Sequence, residues 1–95
     1  MTAIWKFTLP MTCFYDGGDV LKMPMGAEIL SCQRQDKDIT FWARVAKDAP
    51  LAYRRFVIYS TGHPIDDDLN LEYISTVQMG STMNPLVLHV FEVLS

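Results

Sequence analysis

The sequence predicts a mainly β protein: one small antiparallel β-sandwich or partly open barrel of about seven strands, with at most one or two short helical turns. Three observations support this prediction. Apolar and polar residues alternate with a period of two in nearly every segment, and helical spacing is not sustained. Turn-forming residues recur about every eight to twelve residues. The 95 residues, of which 49% are hydrophobic, suffice for a single domain spanning 1–95.

The first two predicted strands end at proline. Ala3 to Leu9 places Trp5 and Phe7 on one face, and Pro10 ends the pairing because it has no N–H donor. A turn at Asp16-Gly17-Gly18-Asp19 then leads into a short strand, Val20 to Met23, which stops at Pro24.

The middle of the chain predicts a hairpin. Glu28 to Gln35 and Ile39 to Ala46 are extended segments that flank the polar connection Asp36-Lys37-Asp38. In the second of them, Ile39, Phe41, Ala43 and Val45 share a face, which marks the side of that strand that faces the core.

Three more strands complete the prediction: Arg54 to Thr61, Glu72 to Met79 and Leu86 to Leu94. The loop after the first of these is expected to hold a single helical turn at Ile65 to Leu71, and Gly80 to Pro85 forms a surface turn. The last strand is rich in β-branched and large apolar residues, which favours a central position in its sheet.

Composition excludes several classes of function. The net charge of −3 and the isoelectric point near 5.1 argue against duplex nucleic acid as a partner, because that requires a basic surface. We expect neither a secretion signal nor a membrane span, since the apolar runs are short. Cys13 and Cys32 are expected to be free thiols in a reducing cytosol, acting as small apolar side chains.

The segment from Tyr53 to Asp68 gathers most of the unusual polar chemistry. Arg54 and Arg55 are neighbours on a strand and therefore point to opposite faces, so we expect one exposed arginine and one in an ion pair. The following turn, in which Gly62 can take a positive φ, is a candidate anion-binding nest. The candidate ligand- or partner-binding residues are Arg54, Arg55, Tyr59, Thr61, Gly62 and His63.

Metal binding and catalysis have weaker support. Asp66-Asp67-Asp68 with His63 could attract a hard cation, but consecutive residues do not converge on one ion, so a solvated acidic turn is expected. His89 is interpreted as a hydrogen-bonded sheet residue. Trp5, Trp42 and Tyr59 could stack a base, but core packing is their expected fate. With no nucleophile or phosphate-loop motif, we expect no enzyme, no metal and no cofactor.

Several motifs together resemble a family of small uncharacterised proteins of tailed bacteriophages and prophages. They are Trp5-Lys6-Phe7, Met23 to Ser31, Phe41 to Val45, Arg54 to Ile65 (RRFVIYSTGHPI), Tyr73 to Gln78 and Leu86 to Glu92 (LVLHVFE). The resemblance spans nearly the whole chain. It implies a phage origin, a host-cytoplasmic location and an accessory role, without catalytic residues.

The expected function is therefore non-enzymatic binding during infection, inhibiting a host process or an anti-phage defence system. The partner would be a host protein, or a small anionic, nucleotide-like ligand that the protein sequesters. Two more functions stay open at this point: a small metal-dependent hydrolase or nuclease, and a minor virion component. Self-association is expected because a small apolar-rich chain with open sheet edges has surface to cover.

Overall fold

The computed structural model describes residues 1–95 and confirms the mainly β prediction: seven strands form two antiparallel sheets with no closed barrel. One sheet has three strands in the order β1-β4-β3, and the other has four in the order β2-β5-β7-β6. The strands are β1 Thr2–Leu9, β2 Asp19–Pro24, β3 Glu28–Gln35, β4 Asp38–Ala46, β5 Leu51–Ser60, β6 Leu71–Gly80 and β7 Pro85–Val93. The C-terminal strand lies between β5 and β6, as its composition predicts.

The core lies between the two sheets and consists of the side chains that point inward from every second residue of the strands. Phe41 of β4 and Phe56 of β5 are fully buried, and their ring centroids lie 5.1 Å apart across the sandwich. Phe7 stacks on Phe41 at 5.2 Å within the three-stranded sheet. Burial of each aromatic ring stabilises the fold by roughly 1.5–3 kcal/mol. The contact between Phe41 and Phe56 is the one that joins the two sheets.

The predicted helical turn at Ile65 to Leu71 is wrong. The Asp66 carboxylate accepts the N–H of Asp68, and the Asp66 carbonyl accepts that of Leu69 at 3.2 Å, which closes a non-helical turn. The only helical residues are the 3-10 turn Met11–Cys13, which follows Pro10. The structure contains no helix of the length and apolar character needed to cross a membrane.

The sheets close against each other on one side only. There β3 packs beside β6, and the Ser75 hydroxyl donates a 3.0 Å hydrogen bond to the carbonyl of Cys32. Both strands carry a β-bulge, in β3 between Ile29 and Ser31 and in β6 between Tyr73 and Ser75. The edges of β1 and β2 lie on the opposite side of the sandwich.

Candidate functional site

The two adjacent arginines have different environments, as predicted from their position on a strand. Arg54 points between the sheets, where Nε and Nη2 donate to the carboxylate of Glu92 at 2.7 and 2.8 Å and Nη1 donates to the carbonyl of Ala27. Arg55 points to the outer side, where Nη1 donates to the carbonyl of Gly18 at 3.1 Å. Arg55 has no carboxylate partner, so its guanidinium remains available to a ligand or partner.

The turn after β5 has the expected glycine conformation, with φ of Gly62 at +90°. Its backbone N–H groups are largely engaged, however. The N–H of Thr61 donates to the carbonyl of Val87, and that of His63 donates to the carbonyl of Ser60, both at 3.1 Å. An anion nest needs consecutive unengaged N–H groups, so this turn does not form one.

An aromatic cluster covers the outer side of the four-stranded sheet. The rings of Tyr15 and His63 stack with centroids 3.8 Å apart and an interplanar angle of 14°. Both rings lie next to Tyr59, which is only 3% exposed, and Phe91 contacts Tyr59 edge to face. Tyr73 in turn packs edge to face on Phe91. Tyr59 therefore serves as the buried base of the cluster rather than as an exposed stacking surface.

Tyr15 reaches this cluster because the chain before β2 continues along the edge of β5. Phe14 bridges Ile58, and the N–H of Tyr15 donates to the Ile58 carbonyl at 3.1 Å. Tyr15 has φ of 60°, in the left-handed region. This backbone conformation puts Tyr15 beside Tyr59, on the outer side.

A chain of side-chain hydrogen bonds crosses the same surface. Thr61 Oγ1 lies 2.7 Å from Nε2 of His89, and Thr76 Oγ1 lies 3.1 Å from Nδ1. The hydroxyl of Tyr73 is 2.8 Å from Thr76 Oγ1. Both ring nitrogens of His89 are thus engaged, which agrees with its interpretation as a hydrogen-bonded sheet residue.

Strand register sets the order of side chains on the outer side. Lys22 is opposite Tyr53, Val20 is opposite Arg55, and Tyr73 is opposite Phe91. Tyr53 is 67% exposed and Tyr73 58% exposed, and the Lys22 ammonium lies 5.8 Å from the Tyr53 ring centroid. We call this surface the outer face, defined by Lys22, Tyr53, Arg55, Tyr73, Phe91, Tyr15 and His63.

Of the predicted site residues, Arg55, Tyr59, Thr61 and His63 belong to this side of the sheet, whereas Arg54 belongs to the interior. Sequence reasoning missed Tyr53, Tyr73 and Phe91. Period two links Tyr53 to Arg55 and Tyr59 on one strand face, so that signal was present in the sequence. The contribution of Tyr15 depends on a non-local contact and had no local signal.

The interior side of Arg54 borders a pocket between the sheets of about 330 Å³. Glu72, Glu92 and Cys32 are among its lining residues. Burial raises the pKa of both thiols, Cys32 and Cys13, to about 11, so neither is a thiolate at neutral pH. No group of three or more His, Cys, Asp or Glu side chains is arranged to hold a metal ion.

One comparison with known proteins identifies a relationship. A family model described as a domain of unknown function, DUF7352, matches residues 1–95. No curated protein and no solved structure matches the chain.

Proposed function

We propose that this chain, which belongs to the DUF7352 family, is a non-enzymatic phage accessory protein that acts in the host cytoplasm by binding and inhibiting a host protein. The phage origin and the place of action rest on the motif resemblance to small proteins of tailed bacteriophages. The inhibited process would be a host function or an anti-phage defence system.

One observation carries the proposal of a protein partner: the outer face presents exposed tyrosines and an arginine without a carboxylate partner on a rigid base. Tyr53 and Tyr73 are more than half exposed. Arg55 lies between them on the sheet, because it follows Tyr53 by two residues on β5 and precedes Val57, which is level with Tyr73 across β7. Tyrosine and arginine dominate the energetics of protein–protein interfaces. Because Tyr53 and Arg55 lie on the central strand β5, their backbone is fixed before binding, which lowers the entropy cost of association.

The chemistry of the polar residues supports a binding role over a catalytic one. The two thiols are buried, with pKa values raised to about 11, and are poor nucleophiles. The imidazole of His89 is held by two threonine hydroxyls, and that of His63 is stacked on Tyr15. Asp66, Asp67 and Asp68 are all exposed.

A second candidate function is sequestration of a small anionic, nucleotide-like ligand. The observation that favours it is the pair of cations on the outer face: Arg55 and Lys22 flank the exposed ring of Tyr53, and neither forms a salt bridge. A base could stack on Tyr53 while a phosphate binds the guanidinium. We also propose that the protein acts as a homo-oligomer.

The test compares variants of matched exposed arginines for capture of a host protein. Immobilised wild-type protein should retain one host protein from a cell lysate. Arg55→Ala and the double variant Tyr53→Thr/Tyr73→Thr should lose it. Arg44→Ala, which removes an exposed arginine from the three-stranded sheet, should retain it. Retention by all variants would overturn the assignment to the outer face.

Further measurements separate inhibition of a host protein from the remaining candidate functions. Tight binding of a nucleotide without turnover, measured by calorimetry over a nucleotide panel, would favour sequestration. Turnover of a nucleotide or nucleic acid that a chelator abolishes would favour the hydrolase, and presence in purified particles would favour a virion component.

A further inference from the structure

The outer edge of β1 is a ladder of hydrogen-bonding groups with no partner. The N–H of Lys47 donates to the carbonyl of Met1, so that pair is hydrogen-bonded, and the register with β4 makes every odd-numbered residue of β1 a hydrogen-bonded partner of β4. The N–H and C=O groups of the even-numbered residues therefore point away from the sheet. These residues are Thr2, Ile4, Lys6 and Thr8.

The edge of β2 is blocked. The pair of Met25 with Pro50 shows that odd-numbered residues of β2 bond to β5, which leaves Val20, Lys22 and Pro24 pointing outward. The Val20 N–H already donates to the carboxylate of Asp19, and Pro24 has no N–H. Only Lys22 retains a donor, so β2 does not support a ladder.

The edges of β3 and β6 are also unsuitable, because both strands are bulged and pack beside each other. Bulges and mutual cover are devices by which proteins prevent edge pairing. The strand β1 has neither device: its register with β4 is continuous over all eight residues.

A lysine on an edge strand can also prevent pairing, but Lys6 is directed away from the edge. Its ammonium donates to the side-chain oxygen of Gln35 in β3 at 3.2 Å. Because β4 lies between β1 and β3, the Lys6 side chain extends across the exposed side of the sheet, away from the free edge of β1. No charged side chain therefore covers the free edge of β1. The neighbouring outward-facing residue on this strand, Ile4, is apolar and 62% exposed.

We propose that β1 pairs antiparallel with β1 of a second copy of the chain, about a two-fold axis at Trp5, to form one continuous six-stranded sheet. This inference rests on the homo-oligomer proposed above and adds its interface. The axis at Trp5 pairs Thr2 with Thr8 and Ile4 with Lys6 of the second copy, so all outward groups exchange hydrogen bonds. An axis at Ile4 leaves Thr8 unpaired, and one at Lys6 leaves Thr2 unpaired and brings the two ammonium groups face to face.

The decisive experiment compares two substitutions of one residue. Lys6→Pro removes an outward N–H that the monomer does not use, whereas Lys6→Thr removes the same ammonium but keeps that N–H. Sedimentation equilibrium at micromolar concentration should give twice the chain mass of 10.8 kDa for wild type and Lys6→Thr. Lys6→Pro should give the monomer mass with an unchanged near-ultraviolet circular dichroism spectrum.

Two results would count against the proposal in different ways. If Lys6→Pro remains a dimer, the β1 interface is wrong while self-association stands. If wild type is a monomer, both the interface and the homo-oligomer are wrong.

A disulfide test checks the register. In the proposed pairing the two Trp5 positions form a non-hydrogen-bonded pair with Cα atoms about 4.5 Å apart, which suits a disulfide. Under oxidising conditions Trp5→Cys should give a covalent dimer and Ala3→Cys should not, because the Ala3 positions lie roughly 13 Å apart. The reverse pattern would overturn the axis at Trp5. If Trp5→Cys fails to fold, the comparison of Lys6→Pro with Lys6→Thr decides.

Discussion

Arg54 and Glu92 form a two-pronged ion pair on the inner side of the four-stranded sheet, with N–O distances of 2.7 and 2.8 Å. Their side chains are only 23% and 13% exposed. The hydrogen bonds that Arg54 donates to the Glu92 carboxylate raise the pKa of Arg54 above its usual range, against the opposing effect of burial. The ion pair gives Arg54 a structural role. Arg55, its neighbour in sequence, is the arginine that remains available for binding.

We predict that the two arginines differ sharply in their effect on stability. Arg54→Met leaves the largely buried carboxylate of Glu92 without its partner and should lower the free energy of unfolding by about 3 kcal/mol. Arg55→Met, at an exposed position, should lower it by less than about 1 kcal/mol. Urea denaturation measures both. Equal losses would contradict the division of roles.

A double variant isolates the coupling of the ion pair. Arg54→Met/Glu92→Leu removes both charges, so it should cost less than the sum of the two single variants. A strictly additive loss would mean that the two side chains do not interact.

Two adjacent glycines should respond differently to alanine. Gly17 has φ of +82° and open space around it, so Gly17→Ala should cost only the backbone strain, about 1–2 kcal/mol. Gly18 has φ of +76°, and an added Cβ would lie 1.9 Å from the carbonyl oxygen of Phe56. Gly18→Ala should therefore cost about 3 kcal/mol or more by urea denaturation. Equal costs would mean that the loop shifts freely away from β5.

The buried thiols should make stability fall at alkaline pH. Burial raises the pKa of Cys13 and Cys32 from 9.0 to about 11, so between these values only the unfolded chain loses the protons. Their contribution to stability is fully present below pH 9 and is lost as pH rises toward 11. The variant Cys13→Ala/Cys32→Ala should show a flatter profile over that window, and an identical slope would contradict the assignment to the thiols.

His63→Ala should weaken binding without unfolding the protein. The substitution removes the ring stacked on Tyr15 at an exposed position, so the free energy of unfolding should change by less than about 1–2 kcal/mol. Affinity for the captured host protein should fall with it and with Arg55→Ala. If His63→Ala unfolds the chain, the Tyr15–His63 stack is structural and not part of the binding surface.

The seven strands could be predicted from the sequence, because alternation of apolar and polar residues and turn-forming residues are local signals. It placed Ile39, Phe41, Ala43 and Val45 on the core side of β4, and all four are buried. The helical turn at Ile65 to Leu71 did not form because Asn70 exchanges backbone hydrogen bonds with Leu94 and Ser95, which extends the chain into β6 where a helix would continue.

The candidate site was predictable only in part. That one arginine is exposed and the other paired follows from strand geometry, but the partner Glu92 does not, since it lies 38 residues away along the chain. The stack of Tyr15 on His63 depends on a left-handed backbone at Tyr15 and on the pairing of the Phe14–Tyr15 segment with Ile58 of β5. No short-range sequence pattern encodes either feature.

The most direct test of the outer face as the binding surface is site-specific photo-crosslinking. A benzophenone amino acid replaces Tyr53 or Tyr73 on the outer face. Trp42 serves as the control, because it lies on the outer side of the three-stranded sheet opposite Lys6, and the expectation that it packs in the core was wrong. After irradiation in host lysate, the first two positions should each give an adduct with the same host protein, and position 42 should give none. An adduct from position 42 alone would contradict the account.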